Sequence, residues 1–343
     1  MNNKLQIAKP QFVSSSVRLV ILTFGFFSAS LSIAAESVQE WLGRMSEAVE
    51  MRNYQGTLVY MRPGMAQTFS VYHRVEDGVA TERLVSMGGE GAEIIRTHDE
   101  VICIFPENKK VVVDKRHDVK DTQNPLRANL PEYSPELQQS YDLKLLPDDR
   151  VAGLQAVVVS ISPRDQFRYG YRIWLEEQSA MPLKIQLIGD DPSMPIEELF
   201  FTSIELPALL PAELIESALD MEGYSWVRHG KQSEHESAPI KEVEWNSSEL
   251  PDGFMRTAGS LEFMAGVTKP RTHLVYSDGL ASVSVFIDIS SAASEQDEGL
   301  TSMGAANAYT LMVEDFLVTA MGEVPARTVH QIATSMRMQS VTE

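Results

Sequence analysis

Two different hydrophobic periods follow one another in the first part of the chain. Apolar residues recur every three or four positions from Val38 to Val49, which places them on one stripe of an amphipathic helix. Ser37 and Glu40 have the spacing of a capping box at the start of this helix. Beyond Asn53 apolar and polar residues alternate, and this period of two predicts β-strands.

The alternating part predicts about eleven strands in two groups. The first group is a meander over Thr57–Arg62, Thr68–Arg74, Thr81–Met87, Ala92–Thr97, Val101–Phe105 and Lys110–Asp114. A proline-containing loop, Arg116–Pro135, separates it from strands over Tyr141–Leu145, Gln155–Ser162, Tyr169–Glu176, Pro182–Ile188 and Glu197–Leu206. So many consecutive strands curl rather than stay flat. We therefore expect an unclosed antiparallel β-barrel that the helix lines or plugs.

A smaller α+β domain is predicted near the C-terminus, after a segment rich in Pro, Ala, Glu and Ser. Its strands are expected over Lys241–Trp245, Phe254–Met264, Thr272–Ser277, Ala281–Ile289, Ala308–Val313 and Phe316–Met321. Ser290–Gly299 is predicted to be an acidic loop. Pro325 at a first-turn position predicts a helix over Ala326–Met338. The fold class expected for the whole chain is α+β.

The first 34 residues have the features of a secretory signal peptide. Lys4, Lys9 and Arg18 precede an uncharged run, Leu19–Ile33, and small residues occupy the cleavage positions at its end. The run is shorter than the roughly 20 apolar residues of a comfortable membrane span. This predicts a location in the periplasm of a Gram-negative cell, with an uncleaved signal anchor as the alternative.

Composition narrows the classes of function. The 343 residues include 29 Lys and Arg against 48 Asp and Glu, for a net charge of −19. Because nucleic-acid affinity comes mainly from neutralising phosphates, a chain this acidic is not expected to bind nucleic acid. The single cysteine, Cys103, lies within the apolar string Val101–Phe105 and is expected to be a buried strand thiol.

Sequence motifs for catalysis are missing from the part of the chain after the predicted signal. It contains no GxSxG, HExxH, Walker A or CxxC pattern. The seven histidines are scattered, and only His229 and His235 lie close together, without a third ligand at suitable spacing. We therefore expect no catalytic residue, metal site or cofactor, and a hydrolase is disfavoured.

A curved sheet must either pack its apolar face or enclose a cavity with it. The candidates to line a lipid cavity are Leu58, Tyr60, Phe69, Val71, Ile102, Ile104, Ile173, Leu175, Ile185 and Leu199. The alternative is that these residues pack on one another and on the helix. The residues alone favour packing, since every sheet needs a core.

A local excess of positive charge occurs beside the long loop. This predicted basic rim consists of Lys109, Lys110, Lys115, Arg116, Lys120 and Arg127. One interpretation is an edge strand whose lysines prevent sheet-to-sheet aggregation. The other is a site where phosphate groups bind at the mouth of the cavity.

Several segments resemble the RseB/MucB family of periplasmic regulators of the sigma-E envelope-stress response. They are NYQGTLVY from Asn53, YRIWLEEQSAMPLKIQLIGD from Tyr171, EELFFTSIEL from Glu197, HLVYSDGLASVSVFI from His273 and the terminal segment from Gly304. The resemblance covers nearly all of residues 36–338. The Y-R-x-W-L pattern alone also occurs in the lipoprotein carriers of the Lol system.

The resemblance implies an N-terminal unclosed β-barrel of the Lol carrier type with a helix, and a smaller C-terminal α+β domain. It also implies binding to the periplasmic domain of an anti-sigma factor similar to RseA or MucA, which is thereby protected from the site-1 protease. Lipid or lipopolysaccharide acyl chains would relieve this protection.

The domain boundaries expected on this basis are a signal peptide over 1–34, a lipid-sensing barrel over 35–215, a linker over 216–238 and a partner-binding domain over 239–343. The alternative function is a periplasmic lipid or lipoprotein carrier without a regulatory role. The sequence does not decide whether the protein forms a homo-oligomer.

Overall fold

A computed structural model describes residues 36–89, 91–115, 126, 130–131, 134–229, 238–239, 245–263, 270–289 and 298–338. The predicted signal peptide lies outside the described residues, as do residues 290–297 of the predicted acidic loop. Among the described residues, no helix is both long enough and apolar enough to cross a membrane.

The first helix, α1 (Val38–Met51), begins where the sequence predicts. The Ser37 backbone N–H donates to Glu40 Oε2 at 2.6 Å, and the Glu40 N–H donates to Ser37 Oγ at 3.3 Å. This reciprocal pair confirms the capping box, which satisfies backbone donors that lack an intrahelical acceptor. The stripe of α1 that includes Trp41, Leu42 and Met45 is buried.

The N-terminal sheet contains all eleven predicted strands. They are β1 (Tyr54–Arg62), β2 (Met65–Glu76), β3 (Val79–Ser86), β4 (Glu93–Arg96), β5 (Glu100–Phe105), β6 (Lys110–Lys115), β7 (Tyr141–Val151), β8 (Leu154–Pro163), β9 (Gly170–Glu176), β10 (Pro182–Ile188) and β11 (Pro195–Glu205). A short helix, α2 (Leu137–Ser140), precedes β7, and a 3₁₀ turn at Ala212–Leu214 follows β11.

A twelfth strand, β12 (Ser225–His229), completes this sheet. The spatial order is β12-β6-β5-β4-β3-β2-β1-β11-β10-β9-β8-β7, and only the β12–β6 pair is parallel. The two end strands, β12 and β7, are not paired with each other, so the sheet is unclosed, as predicted.

The position of β12 corrects two expectations. Residues 216–238 were expected to form a linker, yet β12 lies within them and pairs with β6 along its whole length. Strand β6 is therefore not at the edge of the sheet, and the interpretation of its lysines as edge protection is wrong. The five-residue strand escaped prediction because its pairing is parallel and remote in sequence, so no hairpin signal marks it.

The C-terminal part forms a seven-stranded sheet and a small two-stranded one. Its strands are β13 (Ala238–Pro239), β14 (Trp245–Ser247), β15 (Met255–Glu262), β16 (Arg271–Ser277), β17 (Ser282–Ile289), β18 (Gly299–Met303), β19 (Ala306–Val313), β20 (Phe316–Gly322) and β21 (Met336–Met338). The larger sheet has the order β13-β15-β16-β17-β20-β19-β18, and β14 pairs with β21. Strand β18 was not predicted.

Helix α3 (Ala326–Thr334) covers one face of this sheet with Val329, Ile332 and Ala333, which are buried. The predicted helix over Ala326–Met338 is too long, because the chain leaves the helix at Ser335. The Ser335 hydroxyl lies 2.7 Å from Ser247 Oγ. The same hydroxyl lies 3.0 Å from the Ile332 carbonyl oxygen, and such local bonds from a side chain to the backbone compete with helix continuation. The contact with Ser247 joins the residue before β21 to β14.

Candidate functional site

Eight of the ten predicted cavity residues lie together in the large core of the N-terminal sheet. Leu58, Val71, Ile173, Leu175, Ile185 and Leu199 are buried there, and Tyr60 and Phe69 are half-buried against them. The strand register explains the grouping: Leu58 lies opposite Phe69 on β2 and Phe201 on β11. Directly paired residues point to the same face of a sheet, so these side chains share one surface.

Helix α1 covers this face. Leu42 and Met45 of α1 have no exposed surface and belong to the same cluster as the eight sheet residues. In this structure, the sheet residues therefore pack on one another and on the helix. An acyl chain that entered between the sheet and α1 would have to replace helix contacts with its own. We refer to this surface as the helix-covered face.

Ile102 and Ile104 lie on the opposite face of the sheet. They pair with Ile95 and Val111 and pack in a separate cluster with Leu210. The expectation that they join the other eight is wrong. The string around Cys103 is apolar at every position, so its sequence carries no alternation from which to assign a face.

Cys103 itself points to the same side as Ile94, its cross-strand partner, which packs against the helix-covered cluster. Burial, with the nearby Asp114 carboxylate, raises the pKa of the Cys103 thiol. A thiol that resists ionisation is a poor nucleophile. The Cys103 side chain is half-buried rather than buried as predicted, and its resistance to ionisation agrees with a structural role in the strand.

The structure describes half of the predicted basic rim. Lys109, Lys110 and Lys115 are exposed around β6, whereas Arg116, Lys120 and Arg127 lie outside the described residues. Beside them, on β12, the Trp226 side chain is 46% exposed and the Arg228 guanidinium lies 5.6 Å from the centroid of its ring. Neither residue was predicted, because their segment was expected to be a linker.

A buried ion pair joins the two domains. Arg168, which follows β8, donates to Asp278 Oδ2 at 2.6 Å, and both side chains are fully buried. The same oxygen accepts from the Tyr141 hydroxyl at 3.0 Å, and Arg168 Nη2 also donates to the Asp252 carbonyl. Buried charges are tolerated only when they are paired and hydrogen-bonded, so these contacts specify how the domains dock.

The surroundings keep Tyr141 protonated. Burial is the main cause that raises the pKa of its hydroxyl, and the negative charge of Asp278 adds to it. A protonated hydroxyl remains a donor to Asp278. Burial and a hydrogen bond to Glu197 likewise raise the pKa of Tyr60.

Further polar contacts surround the ion pair. Thr328 Oγ1 donates to the Phe167 carbonyl at 2.6 Å, and Asn307 Nδ2 donates to the Tyr169 hydroxyl at 3.2 Å. The Ala305 N–H donates to Glu197 Oε1 at 3.1 Å. Helix α3 and the β18–β19 hairpin therefore both contact the N-terminal domain.

An open cavity of about 340 Å³ lies at the same junction. One wall is formed by the loop between β10 and β11, the start of β11 and the residue before β9, and the other by the start of α3 and Asn307. The lining residues are Tyr169, Gly189, Asp190, Asp191, Met194, Ile196, Asn307, Pro325, Ala326 and Arg327. Arg327 Nη2 contacts Asp190 Oδ2 at 2.7 Å, and this ion pair adds a further contact between the domains.

One row of polar side chains in the C-terminal sheet resembles a catalytic serine hydrogen-bonded to a histidine base. His273 Nε2 lies 3.1 Å from Ser284 Oγ, and Nδ1 lies 2.8 Å from Glu262 Oε1. However, Ser284 occupies the middle of β17 between β16 and β20, where neighbouring backbone N–H groups serve the sheet ladder. Acyl transfer needs such donors aimed at a developing oxyanion, so this geometry favours a structural row over a catalytic triad. Among the described residues, no cluster of three metal-ligating side chains occurs.

Comparison with known proteins decides the family. Residues 37–221 match the MucB/RseB N-terminal domain, and residues 239–337 match the MucB/RseB C-terminal domain. The chain belongs to the MucB/RseB family. It is 31% identical over 329 residues to the sigma factor AlgU regulatory protein MucB of Pseudomonas aeruginosa, covering 94% of this chain and 98% of that protein.

Other relatives agree with this MucB/RseB assignment. The sigma-E factor regulatory protein RseB of Haemophilus influenzae is 23% identical, with 94% of this chain and 98% of that protein aligned. The solved structures include "The complex structure of Pseudomonas aeruginosa MucA/MucB", with a TM-score of 0.66, 29% identity, and coverage of 89% of this chain and 99% of that one. The resemblance found in the sequence is thus confirmed.

Two further solved MucB structures differ in how well they superpose on this chain. "Crystal structure of MucB in complex with MucA(peri)" has a TM-score of 0.66 at 28% identity, with 89% of this chain and 100% of that one aligned. "Crystal structure of MucB" has a TM-score of 0.54 at the same identity, with 89% and 99% aligned. The structure described here therefore superposes better on the two MucB structures whose titles name MucA.

Proposed function

We propose that this MucB/RseB family protein is a periplasmic regulator that binds the periplasmic domain of a membrane-bound anti-sigma factor and shields it from proteolysis. Lipid or lipopolysaccharide acyl chains release the anti-sigma factor. The observation that carries the proposal is the match of both domains to a family whose members have been crystallised in complex with MucA. The predicted secretory signal supports the periplasmic location.

The domain arrangement supports a partner-binding conformation. The chain superposes with a TM-score of 0.66 on the two complexes with MucA but of 0.54 on the structure titled MucB alone. The Arg168–Asp278 pair fixes one docking geometry, because its buried charges lose their partners when the domains separate. We infer that this docked arrangement is the form that binds the anti-sigma factor.

The helix-covered face supports the lipid-sensing half of the proposal. It offers an apolar surface closed by one helix, and the polar contacts that hold α1 to the sheet include Arg44 Nη2 to the Gln178 carbonyl at 2.6 Å. Burying an acyl chain stabilises the bound state by about 0.8 kcal/mol per methylene. A chain of ordinary length can therefore offset the loss of the α1 contacts.

Regulation then follows from linkage. Suppose that lipid binds preferentially to a form with α1 displaced and that the anti-sigma factor binds preferentially to the docked form. Each ligand then weakens the binding of the other by the same coupling free energy. Such coupling is typically about 1–3 kcal/mol, or roughly 5–150-fold in affinity. No chemical step is needed.

The test is a protection assay. The secreted form of the protein is mixed with the purified periplasmic domain of the anti-sigma factor from the same organism, and the site-1 protease is added. We expect intact anti-sigma fragment in the presence of the protein and cleavage once lipopolysaccharide is added. Cleavage at the same rate with and without the protein would contradict the proposal, and lipid transfer without protection would support a carrier.

A further inference from the structure

Helix α1 has one covalent connection to the rest of the fold. It follows the predicted signal peptide, residues 1–34, and leads directly into β1. In the secreted form, only the C-terminal end of α1 therefore continues into the sheet. Terminal elements separate from a fold more easily than internal ones unless side chains hold them, so the contacts at the two ends of α1 determine how it leaves the helix-covered face.

The C-terminal end of α1 is fixed to the sheet by three hydrogen bonds. The Arg52 carbonyl lies 2.8 Å from His73 Nδ1 of β2; because a carbonyl oxygen only accepts, this nitrogen carries the proton. Asn53 Oδ1 accepts from the Val75 N–H at 2.9 Å, and Asn53 Nδ2 donates to the Ala208 carbonyl at 3.0 Å. The connection between α1 and β1 is thus held both by β2 and by the segment after β11.

The first turns of α1 depend on a single side chain for their polar contact with the sheet. Arg44 Nη2 donates to the Gln178 carbonyl, in the turn between β9 and β10, at 2.6 Å. Among the described residues, this is the only hydrogen bond that joins residues 38–47 to the sheet. The guanidinium also contacts Glu36 at 2.6 Å and lies 4.5 Å from the centroid of the Trp41 ring. Arg44 therefore ties the first turns of the helix to the β9–β10 turn.

The apolar residues beside this tie belong to the same core as the helix-covered face. Ala180 and Met181 follow Gln178 in the turn that leads into β10, and neither has any exposed surface. They pack in one cluster with Trp41 and Leu42 of α1. Movement of the first turns of α1 away from the sheet would uncover this end of the cluster and leave the C-terminal end of the helix in place.

We propose that α1 is a hinged lid, with its hinge at Arg52 and Asn53 and with Arg44 as the latch, and that an acyl chain enters between the first turns of α1 and the β9–β10 turn. The inference rests on the proposed function and specifies how its lipid-sensing half opens. Opening about the hinge breaks the bond of Arg44 and keeps the three bonds at the other end. Release of the whole helix would break all of them, so opening about the hinge costs less free energy.

The first experiment tests the latch by titrating a fluorescent fatty acid into Arg44→Met and the matched control Arg164→Met. Arg164 also bonds a carboxylate and a backbone carbonyl, but its partners, Asp142 and Gln139, lie on β7 and α2. We expect Arg44→Met to bind the fatty acid about fivefold more tightly, because the open form becomes more populated, and Arg164→Met to bind it as the unmodified protein does. Loss of a positive charge alone would weaken the binding of a fatty acid anion, so tighter binding reports opening.

The second experiment locates the hinge by amide hydrogen exchange in the unmodified protein, with and without the fatty acid. We expect exchange in residues 41–46 to become at least about fivefold faster when the fatty acid binds, because these turns lose their packing on the sheet. Exchange in residues 47–52 should change less, since the hinge stays bonded. This measurement needs no variant, so it tests the proposal even if Arg44→Met does not fold.

The outcomes separate the lid from the proposed function. Equal affinities of Arg44→Met and Arg164→Met for the fatty acid would overturn the latch. An equal rise in exchange along the whole of α1 would show that the entire helix is released and would overturn the hinge. Either result leaves the proposed function intact. Absence of fatty-acid binding by the unmodified protein would instead refute the lipid-sensing half of the proposed function, and the inference with it.

Discussion

The ion pair between Arg168 and Asp278 allows a quantitative test of how the domains are joined. Asp278→Asn keeps the shape of the side chain and an acceptor for the backbone N–H groups of Leu280 and Ala281, which bond Oδ1 at 2.9 and 2.7 Å. It removes the negative charge 2.6 Å from the guanidinium of Arg168. The substitution therefore isolates the charge from the turn that Asp278 also stabilises.

The expected magnitude follows from burial. Removing one partner of a buried pair typically destabilises a protein by about 3–5 kcal/mol, because the remaining charge is left uncompensated. Arg168 also contacts Asp165 Oδ2 at 2.9 Å, and this carboxylate is 29% exposed, so part of the charge stays compensated. We expect a loss of about 3 kcal/mol in the free energy of unfolding, at the lower end of that range.

A matched control comes from the same region. Asp142 pairs with Arg164 at 3.0 Å, and these side chains are 47% and 51% exposed. Asp142→Asn should cost only about 0–1 kcal/mol, since exposed pairs are screened by solvent. Urea denaturation at pH 7 measures both variants. If Asp278→Asn unfolds at the same urea concentration as Asp142→Asn, the buried pair does not hold the domains together as argued.

Three further predictions concern the N-terminal domain. Gly56→Ala should lower the free energy of unfolding by about 1–3 kcal/mol, because an added Cβ would lie 2.3 Å from a backbone oxygen of β11. Thermal melts measure this loss, and an unchanged melting temperature would contradict the close packing of Gly56 against β11. Leu42→Ala should lower the free energy of unfolding by about 2–5 kcal/mol and leave an apolar cavity, so the protein should take up more of a fluorescent fatty acid. The control Ile332→Ala, in the C-terminal core, should destabilise the protein without raising this uptake. The backbone N–H of Arg150 and the indole N–H of Trp174 hold the pKa of Asp149 below its ordinary value. The resulting stabilisation of the fold is present above about pH 3.9 and is lost as the pH falls further. The tryptophan fluorescence of Asp149→Asn should therefore lack the acid transition that the unmodified protein shows.

Local features of the fold were predictable from sequence. The capping box of α1 depends on two residues three apart, and the hairpins depend on turn residues beside alternating strands, so both leave a signal within a short window. The buried stripe of α1 and eleven of the twelve strands of the first sheet follow from periodicity. The predicted ends of these strands differ from the structure by at most three residues, except in β7, which was predicted to end at Leu145 and continues to Val151.

Features that depend on distant pairing were not predictable. Strand β12 is defined by parallel pairing with β6 across more than 100 residues of sequence, as in Trp226 opposite Val111. Ile104 could not be assigned to a face, because its neighbours are apolar on both sides. Arg168 and Asp278 are ordinary turn residues in the sequence, and only the docking of the domains brings their charges together.

Lipid and the anti-sigma factor are expected to bind to competing forms of the protein. Titration of the anti-sigma periplasmic domain into lipid-free and lipopolysaccharide-loaded protein measures this coupling directly. We expect the anti-sigma domain to bind the lipid-free protein and its affinity to fall by roughly 5–150-fold after loading. Identical affinities in the two titrations, with lipid shown to be bound, would contradict it.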